Sequence, residues 1–393
     1  MYIKSIAYDE FKFKPTEWQV EKIEFDQINL IVGKNSSGKT RVINIIQALA
    51  SMLAGRGGNF VSGHWQASFI RSVGAAKEKQ EYRLKIDDGV IESELFKIKG
   101  GIILQRDSTG YGTVAKKAGA KVDYKVDNSQ LMAVVRSDPI QHPQFADLHA
   151  WARGVCIYRF GSEFGKSNFT GGYTAPPDPL MKLDCSVMPD NVSGVYLNTH
   201  EKFKAEYNSL LIEAMAEIGY QIEDVMLIPV NEFNFHGMAP LAIAVKEKGV
   251  RCFVNQGGLS QGMYRALAIL VQFYANILWA RHACGGRQLQ LGDSPLILID
   301  DIGEGLDHER ARKMIGLLVS ESLKYNIQII MSSNDRYVMN YVPLENWTVL
   351  SRNGSKVSSI NYNNSKDVFD EFSYSGLSNF DFFSGGHYVK EDV

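Results

Sequence analysis

Eight residues, Gly33-Lys34-Asn35-Ser36-Ser37-Gly38-Lys39-Thr40, fit the pattern G-x-x-x-x-G-K-[ST] at every fixed position. That spacing suits one chemistry. The glycines let the backbone curl so that successive N–H groups point inward at phosphates. The lysine reaches the outer phosphates, and the Thr40 hydroxyl binds Mg²⁺. Arg41 follows directly and is grouped with these nucleotide-binding residues. A second group sits at the end of an apolar run, Leu296-Ile297-Leu298-Ile299-Asp300-Asp301. Acids at the C-terminal end of a buried strand stand where ligands of α/β proteins bind. Asp300 suits the metal shell, and Asp301 suits the positioning or polarising of an attacking water. Glu304 is the alternative for that catalytic role. Asn334 lies just past the next apolar run, where a polar side chain can sense a terminal phosphate. Asp307 can belong to the same site or simply cap a helix beginning at His308, and both can hold. A third stretch, GGLSQGMYRALAIL (257–270), runs from glycines straight into an apolar segment. Ser260, Gln261 and Gly262 at such a helix start offer N–H groups and a hydroxyl to an anion. Nothing near them in the chain looks like a second phosphate loop.

These groups need elements to carry them. The first 32 residues read as two strands, IKSIAY and EKIEFDQINLIV, the second ending at the glycine of the loop. From Thr40, apolar residues at 42, 43, 45, 46, 49 and 53 recur at helix spacing. Residues 81–125 read as β-hairpins, with turn signals at 87–89, 100–101 and 107–110. Basic residues outnumber acidic ones there, which fits a solvated hairpin face better than a nucleic-acid patch. Residues 161–195, rich in Gly, Pro, Asp and Asn, read as a long loop. A helix is expected over about 201–219, with Phe203, Tyr207, Leu211, Ala214 and Ile218 on one face. A hairpin around 246–249 leads into the helix of 262–280. Strand 295–299, a charged helix over 307–324 and strand 327–331 follow. The segment 361–393 is acidic and dense in aromatics (Phe369, Phe372, Phe380, Phe382 and Phe383 with Asp370, Glu371 and Asp381). It is a candidate contact for a partner or another subunit, and packing against its own core is at least as good an account.

Composition bounds the rest. The chain has 393 residues, 45% of them hydrophobic, enough for a sizeable core. A net charge of -2 argues against a protein that coats nucleic acid by bulk charge. The scattered cysteines (Cys156, Cys185, Cys252, Cys284) form no zinc pattern and fit a reducing cytoplasm. The N-terminus does not resemble a signal peptide, and no apolar run approaches the ~20 residues of a membrane span. No Asn-Lys-x-Asp guanine-reading motif occurs.

One phosphate loop paired with a distant Ser-bearing helix start resembles the ABC-type ATPases. In that family the signature helix of one subunit closes over the nucleotide held by another. LSQGM resembles the signature LSGGQ, and DDIGEGLD (300–307) keeps the family's spacing from metal acid to Leu-Asp turn. The separation of loop and signature, and the absence of a long heptad-bearing arm between them, resemble the soluble SMC/RecF/OLD-like branch. Asp190-Asn191-Val192-Ser193-Gly194-Val195-Tyr196-Leu197 before a helix is similar to that branch too. The resemblance is best over 1–54 and 225–345. It implies an α/β fold: an ABC-type P-loop ATPase head with a mixed β-sheet lobe, a RecA-like core and an inserted β/helical region. The expected layout is a single ATPase domain over 1–360 and a tail over 361–393. Within the domain, 1–130 carries the loop and hairpins, 131–255 is inserted, and 256–360 carries signature, acids and switch. The resemblance also implies ATP and Mg²⁺, with Ser260, Gln261 and Gly262 gripping the γ-phosphate of a neighbour's ATP in a homo-oligomer of head-to-tail pairs. Two departures point to slow hydrolysis: Asp301 stands where the family usually has Glu, and Asn334 where it has the switch histidine. No OLD-type nuclease is expected after residue 345. In length, layout and tail the chain resembles the ATPases of PARIS anti-phage modules. That implies a cytoplasmic sensor or scaffold controlling a separate nuclease or toxin effector in response to a viral trigger protein. The alternative is a RecF-like ATPase that clamps DNA in repair or recombination.

Overall fold

The computed structural model describes residues 1–57, 60–73, 76–116, 120–136, 138, 140–159, 166, 168–170, 191–233, 239–293 and 295–388. The chain opens with β1 (Tyr2–Glu10), β2 (Trp18–Glu24) and β3 (Ile28–Gly33), and enters α1 (Lys39–Leu53) through the glycine-rich loop. A run of antiparallel strands follows: β4 (Ser62–Val73), β5 (Ala76–Asp87), β6 (Val90–Ile98), β7 (Gly101–Arg106), β8 (Tyr111–Ala115) and β9 (Lys121–Lys125). Helices α2 (Met132–Val135) and α3 (Ala146–Gly154) lead to β10 (Cys156–Arg159). The long α4 (Val192–Ile218) precedes a three-stranded sheet of β11 (Ile222–Pro229), β12 (Leu241–Glu247) and β13 (Val254–Asn255). Next come α5 (Gln261–Ala283), β14 (Ile297–Asp300), α6 (His308–Lys324), β15 (Ile329–Ser332) and α7 (Arg336–Tyr341). β16 (Trp347–Asn353), β17 (Lys356–Asn361), α8 (Tyr362–Ser373) and α9 (Asn379–Ser384) close the chain.

One sheet of 14 strands, in the order β10-β14-β15-β3-β16-β17-β2-β1-β4-β5-β6-β7-β8-β9, organises the molecule. Its first five strands are parallel, and the stretch from β2 to β9 is antiparallel. The parallel strands are apolar on both faces because helices cover both. Leu30, Val32, Ile297, Ile299, Ile329 and Met331 point into a core shared with α4, α5 and α6. Ile31, Leu298 and Ile330 point the other way, into a core shared with α1 and the hairpins. This is the period-2 alternation of a strand buried twice. β10 falls within the stretch expected to be inserted, yet it edges the parallel half beside β14.

Several expectations need correction. The expected second strand is two strands in different parts of the sheet. Asn29 Oδ1 accepts from the Asp26 N–H (2.8 Å) and its Nδ2 donates to the Asp26 carbonyl (2.8 Å), which turns the chain between them. β4 begins well before the expected hairpin region. The helix expected over 201–219 starts at Val192, capped by Asn191, whose Oδ1 accepts from Gly194 N–H (2.9 Å). Its Ser-Gly-rich first turns are buried, so packing overrides weak local propensity. Non-helical backbone at Lys204 (φ 44°) divides the helix. Of the expected loop 161–195, residues 161–165, 167 and 171–190 lie outside the described residues. Thr170 forms a bridge to Leu241, and 192–195 are helical. Strands 295–299 and 327–331 and helix 307–324 appear within a residue or two of their expected bounds.

The aromatic segment packs onto its own domain. Phe369, Phe372 and Phe382 are buried in the core, and Phe380 and Phe383 lie against it. Phe382 is 0% exposed, with its ring 4.8 Å from that of Phe369, 5.0 Å from Phe372 and 6.4 Å from Trp347. Truncating Phe382 to alanine is expected to cost about 3–5 kcal/mol of stability. Urea unfolding of Phe382→Ala measures this; a loss under about 1 kcal/mol, the scale of a surface change, contradicts core packing of the tail.

Candidate functional site

The glycine-rich loop leaves β3 at Gly33, where no side chain fits. A Cβ there would lie 2.9 Å from the Leu350 carbonyl oxygen on the neighbouring β16. Ser36 (φ 65°) and Gly38 (φ 105°) take left-handed backbone, so the chain curls over the start of α1. Ser37 N–H donates to the Lys34 carbonyl (3.1 Å), closing the turn. The Ser37 hydroxyl is buried inside it without a hydrogen-bond partner. Gly38 caps α1 without a side chain, and the first turn presents exposed Thr40 and Arg41. Lys39 is 7% exposed, and its ammonium donates to the carbonyls of Gly33 (3.0 Å) and Lys34 (3.4 Å). Burial lowers its pKa, while Asp301 and Asp300 pull it back up. A buried cation hydrogen-bonded to neutral carbonyls, in a loop that also carries an orphaned hydroxyl, suits an incoming anion.

The acids arrive on the adjacent strands. β14 ends at Asp300, which is 9% exposed. Ser332, at the end of β15, donates its hydroxyl to Asp300 Oδ1 (2.5 Å) and accepts from Asp301 N–H (3.0 Å). One serine therefore fixes both acids, a role its place in an expected strand end did not reveal. Asp301 is in left-handed backbone (φ 51°). Its pKa is raised by burial and then by Asp300, with Lys39 opposing and Glu304 adding. Asn334 donates its Nδ2 to Asn35 Oδ1 (2.8 Å), joining the end of β15 to the crown of the loop. Loop, Asp301 and Asn334 line one cleft.

Three further residues shape that cleft. The Arg41 guanidinium lies 3.9 Å from the Trp18 ring centroid and is ion-paired with Glu10. Arg352 Nη1 donates to the Ser36 carbonyl (3.4 Å). Trp18 and Arg352 are far from the loop in sequence and carry no motif, so only the fold brings them here.

The helix start at Ser260 lies elsewhere. Ser260 caps α5, its Oγ accepting from Met263 N–H (3.3 Å), and Ser260 and Gln261 are exposed. A Cβ on Gly262 would lie 2.9 Å from the Gly305 carbonyl oxygen and 3.0 Å from Tyr220 Oη, so only glycine lets the helix approach this turn. Arg265, one turn on, donates to the Glu304 carbonyl. The Glu304 side chain is 54% exposed, with a carboxylate oxygen 3.9 Å from Arg265. Asp307 caps α6, accepting from Arg310 N–H (3.0 Å) and pairing with the Arg310 guanidinium (2.6 Å). Among the described residues lining the cleft at the loop, none comes from 260–262, and Glu304 and Asp307 are not among them. The glycine-rich loop thus shares its cleft with Asp301 and Asn334, and the Ser260 helix start packs on the 303–307 turn.

The sequence matches no protein-family profile and no curated protein sequence. Solved structures do match. An Smc head bound to the C-winged helix domain of ScpA superposes with a TM-score of 0.52 at 14% identity, over 92% of this chain and 98% of that one. The fold is that of an SMC head. An Smc head domain with an extended coiled coil, bound to the C-terminal domain of ScpA derived from Pyrococcus furiosus, gives 0.51 at 13% identity, over 95% and 99%. The large mixed sheet, parallel from β10 to β16 in its order and antiparallel from β2 to β9, accords with the α/β fold of those heads. Among the described residues no helix is long and apolar enough to cross a membrane.

Thr40 and Asp300 offer hard oxygen donors of the kind Mg²⁺ prefers. No group of three or more His, Cys, Asp or Glu among the described residues forms a metal cage. That sparse set fits Mg²⁺ held jointly with nucleotide phosphates and water.

The raised pKa of Asp301 has a stability consequence. The folded state binds this proton more readily than the unfolded chain, so ionised Asp301 costs stability at neutral pH and the cost fades as pH falls through the carboxylate range. Asparagine tolerates the same left-handed backbone. Nucleotide-free Asp301→Asn is therefore expected to unfold at higher urea concentration than wild type at neutral pH, with the gap closing in acid. Urea titrations across pH check this; no gain at neutral pH, or a gain that persists in acid, contradicts it.

Proposed function

We propose that this chain is a slow ABC-type ATPase whose nucleotide is held by the loop of one copy and closed over by the Ser260 helix start of another. The observation that carries the reading is the separation of the two half-sites within one chain. Ser260 and Gln261 are exposed and none of residues 260–262 lines the loop cleft, so in this reading a second copy supplies what they grip. The loop N–H groups, Lys39 and Arg41 bind the phosphates. Thr40 and Asp300 hold Mg²⁺, which neutralises the phosphate oxygens and orients them when bound. Asp301 orients a water toward the γ-phosphorus and takes its proton. The new P–O bond forms as the bond to the β-phosphate oxygen breaks, releasing ADP and phosphate. The raised pKa of Asp301 favours its role as proton acceptor. In this reading Asn334 hydrogen-bonds the γ-phosphate but carries no proton to transfer, and Asp301 is one methylene shorter than Glu, so turnover is slow and suited to switching.

In the wider role we propose, ATP holds a homo-oligomer that controls a separate nuclease or toxin effector, as in AriA-type ATPases of PARIS anti-phage modules. An Smc head of similar fold is bound to ScpA, which supports a head of this shape carrying a second protein. Direct DNA clamping is less well supported. Four basic residues of the hairpin region pair with its own carboxylates: Lys79 and Arg83 with Glu81, Lys99 and Arg71 with Glu78.

Lys39→Ala and Ser260→Arg are each expected to abolish ATP hydrolysis alone. Mixed, the intact loop of one and the intact helix start of the other compose a working site, and part of the activity returns. Recovery in verified mixed oligomers is the expected outcome, and no recovery contradicts a site shared between chains.

A further inference from the structure

We propose that Arg352 is a phosphate-binding residue of this nucleotide site, a cation supplied in cis from strand β16 to the loop that also carries Lys39. The proposal rests on the nucleotide-binding reading above and adds to it a residue outside every motif in the sequence.

The sheet register delivers Arg352 to the loop. β16 runs parallel to β3 with Leu350 opposite Gly33, so the strand's next residues pass the loop's crown. There the Arg352 Nη1 donates to the carbonyl of Ser36 (3.4 Å), and its Nε donates to the carbonyl of Gly354 (2.8 Å) in its own hairpin turn. Both acceptors are neutral. Among the described residues no carboxylate lies within ion-pair distance of this guanidinium, although it lines the same cleft as Lys39, Arg41 and Asp301. Arg41 differs in having Glu10 as a counter-ion and the Trp18 face beneath it. The two guanidiniums are near enough to repel: after burial, the chief cause, Arg352 contributes to lowering the Arg41 pKa.

A fork of five N–H donors that spends two on carbonyls, one of them long, has capacity for a better acceptor. Phosphate oxygens are that acceptor, since charge-assisted bonds are shorter and stronger than those to neutral carbonyls. With Arg41 paired to Glu10, Lys39 and Arg352 bring two further positive charges, each bonded only to carbonyls, to a cleft whose lining holds a single acid, Asp301. A polyphosphate resolves this imbalance and the repulsion between the arginines together. The competing account is that Arg352 merely staples the hairpin turn to the loop.

Isothermal titration with ATP and with inorganic tripolyphosphate, on wild type, Arg352→Ala and Arg352→Gln, separates the two. Glutamine keeps a donor for the Ser36 or Gly354 carbonyl without the charge, and serves if the alanine variant folds poorly. The expected result is about tenfold weaker binding of both ligands to either variant, the scale of one charge-assisted hydrogen bond. Salt should weaken binding to the variants less than to wild type, and the nucleotide-free melting temperature of Arg352→Gln should match wild type. Unchanged affinity in the variants, with normal binding by wild type, overturns the assignment of Arg352 alone. Weaker ATP binding with unchanged tripolyphosphate binding places the residue on the base or ribose and overturns the phosphate contact. If wild type binds neither ligand, the nucleotide-binding reading fails and takes this proposal with it.

Discussion

Parallel pairing of three short buried strands is the constraint on which the site depends. β3, β15 and β14 lie side by side with Leu30 opposite Met331 and Met331 opposite Ile299. Their C-terminal ends therefore release Gly33, Ser332 and Asp300 at one edge of the sheet. Because each strand is buried on both faces by alternating residues, a slip of one position would send every side chain into the wrong core. The register that the hydrophobic cores enforce is thus also what sets Ser332 against Asp300 and the Asp301 N–H. Packing and chemistry are two results of the same alignment.

Around that edge the electrostatics are only partly balanced. Lys39 is buried on carbonyls, Asp301 is burdened by Asp300, and Arg352 has no acid of its own. Lys39 and Asp301 are tolerable because each has the other's opposite charge nearby, without a close ion pair, whereas Arg352 rests on carbonyls. Such arrangements cost stability and recur where a charged ligand completes the set. The second half-site is built differently. Gly262 and Gly305 allow α5 to sit directly on the turn that follows Asp301, with Arg265 across the join. In the proposed shared site, a shift at the acids after hydrolysis has a short physical route to the helix start. Coupling of this kind is typically worth about 1–3 kcal/mol, enough to change how tightly two copies hold each other.

The sequence made the phosphate loop and the acids legible because both depend on residues close together in the chain: glycines where φ is positive, a lysine at fixed spacing, an apolar strand ending in Asp. Helix α6 was legible for the same reason, with Asp307 as its cap. What escaped depends on distant partners. The break between β2 and β3 is set by two hydrogen bonds from Asn29 inside a run that is otherwise strand-like. The first turns of α4 are helical because Val192, Val195 and Tyr196 are buried, not because Ser and Gly favour a helix. Trp18 on β2 under Arg41 of α1, and Arg352 of β16 on Ser36 of the loop, are meetings of separate elements. The aromatic tail had two readings that composition alone could not separate, and Phe382 against Phe369 and Phe372 decides for the core.

The central claim is that ATP joins two copies of this chain through one shared site. Light scattering of the Asp301→Asn protein, which should bind ATP without turning it over, gives the molar mass with ATP and Mg²⁺ and again with ADP. The account predicts a heavier assembly with ATP than with ADP, and loss of that difference when Ser260→Arg is added. The same mass in both nucleotides, with nucleotide binding verified, would contradict it.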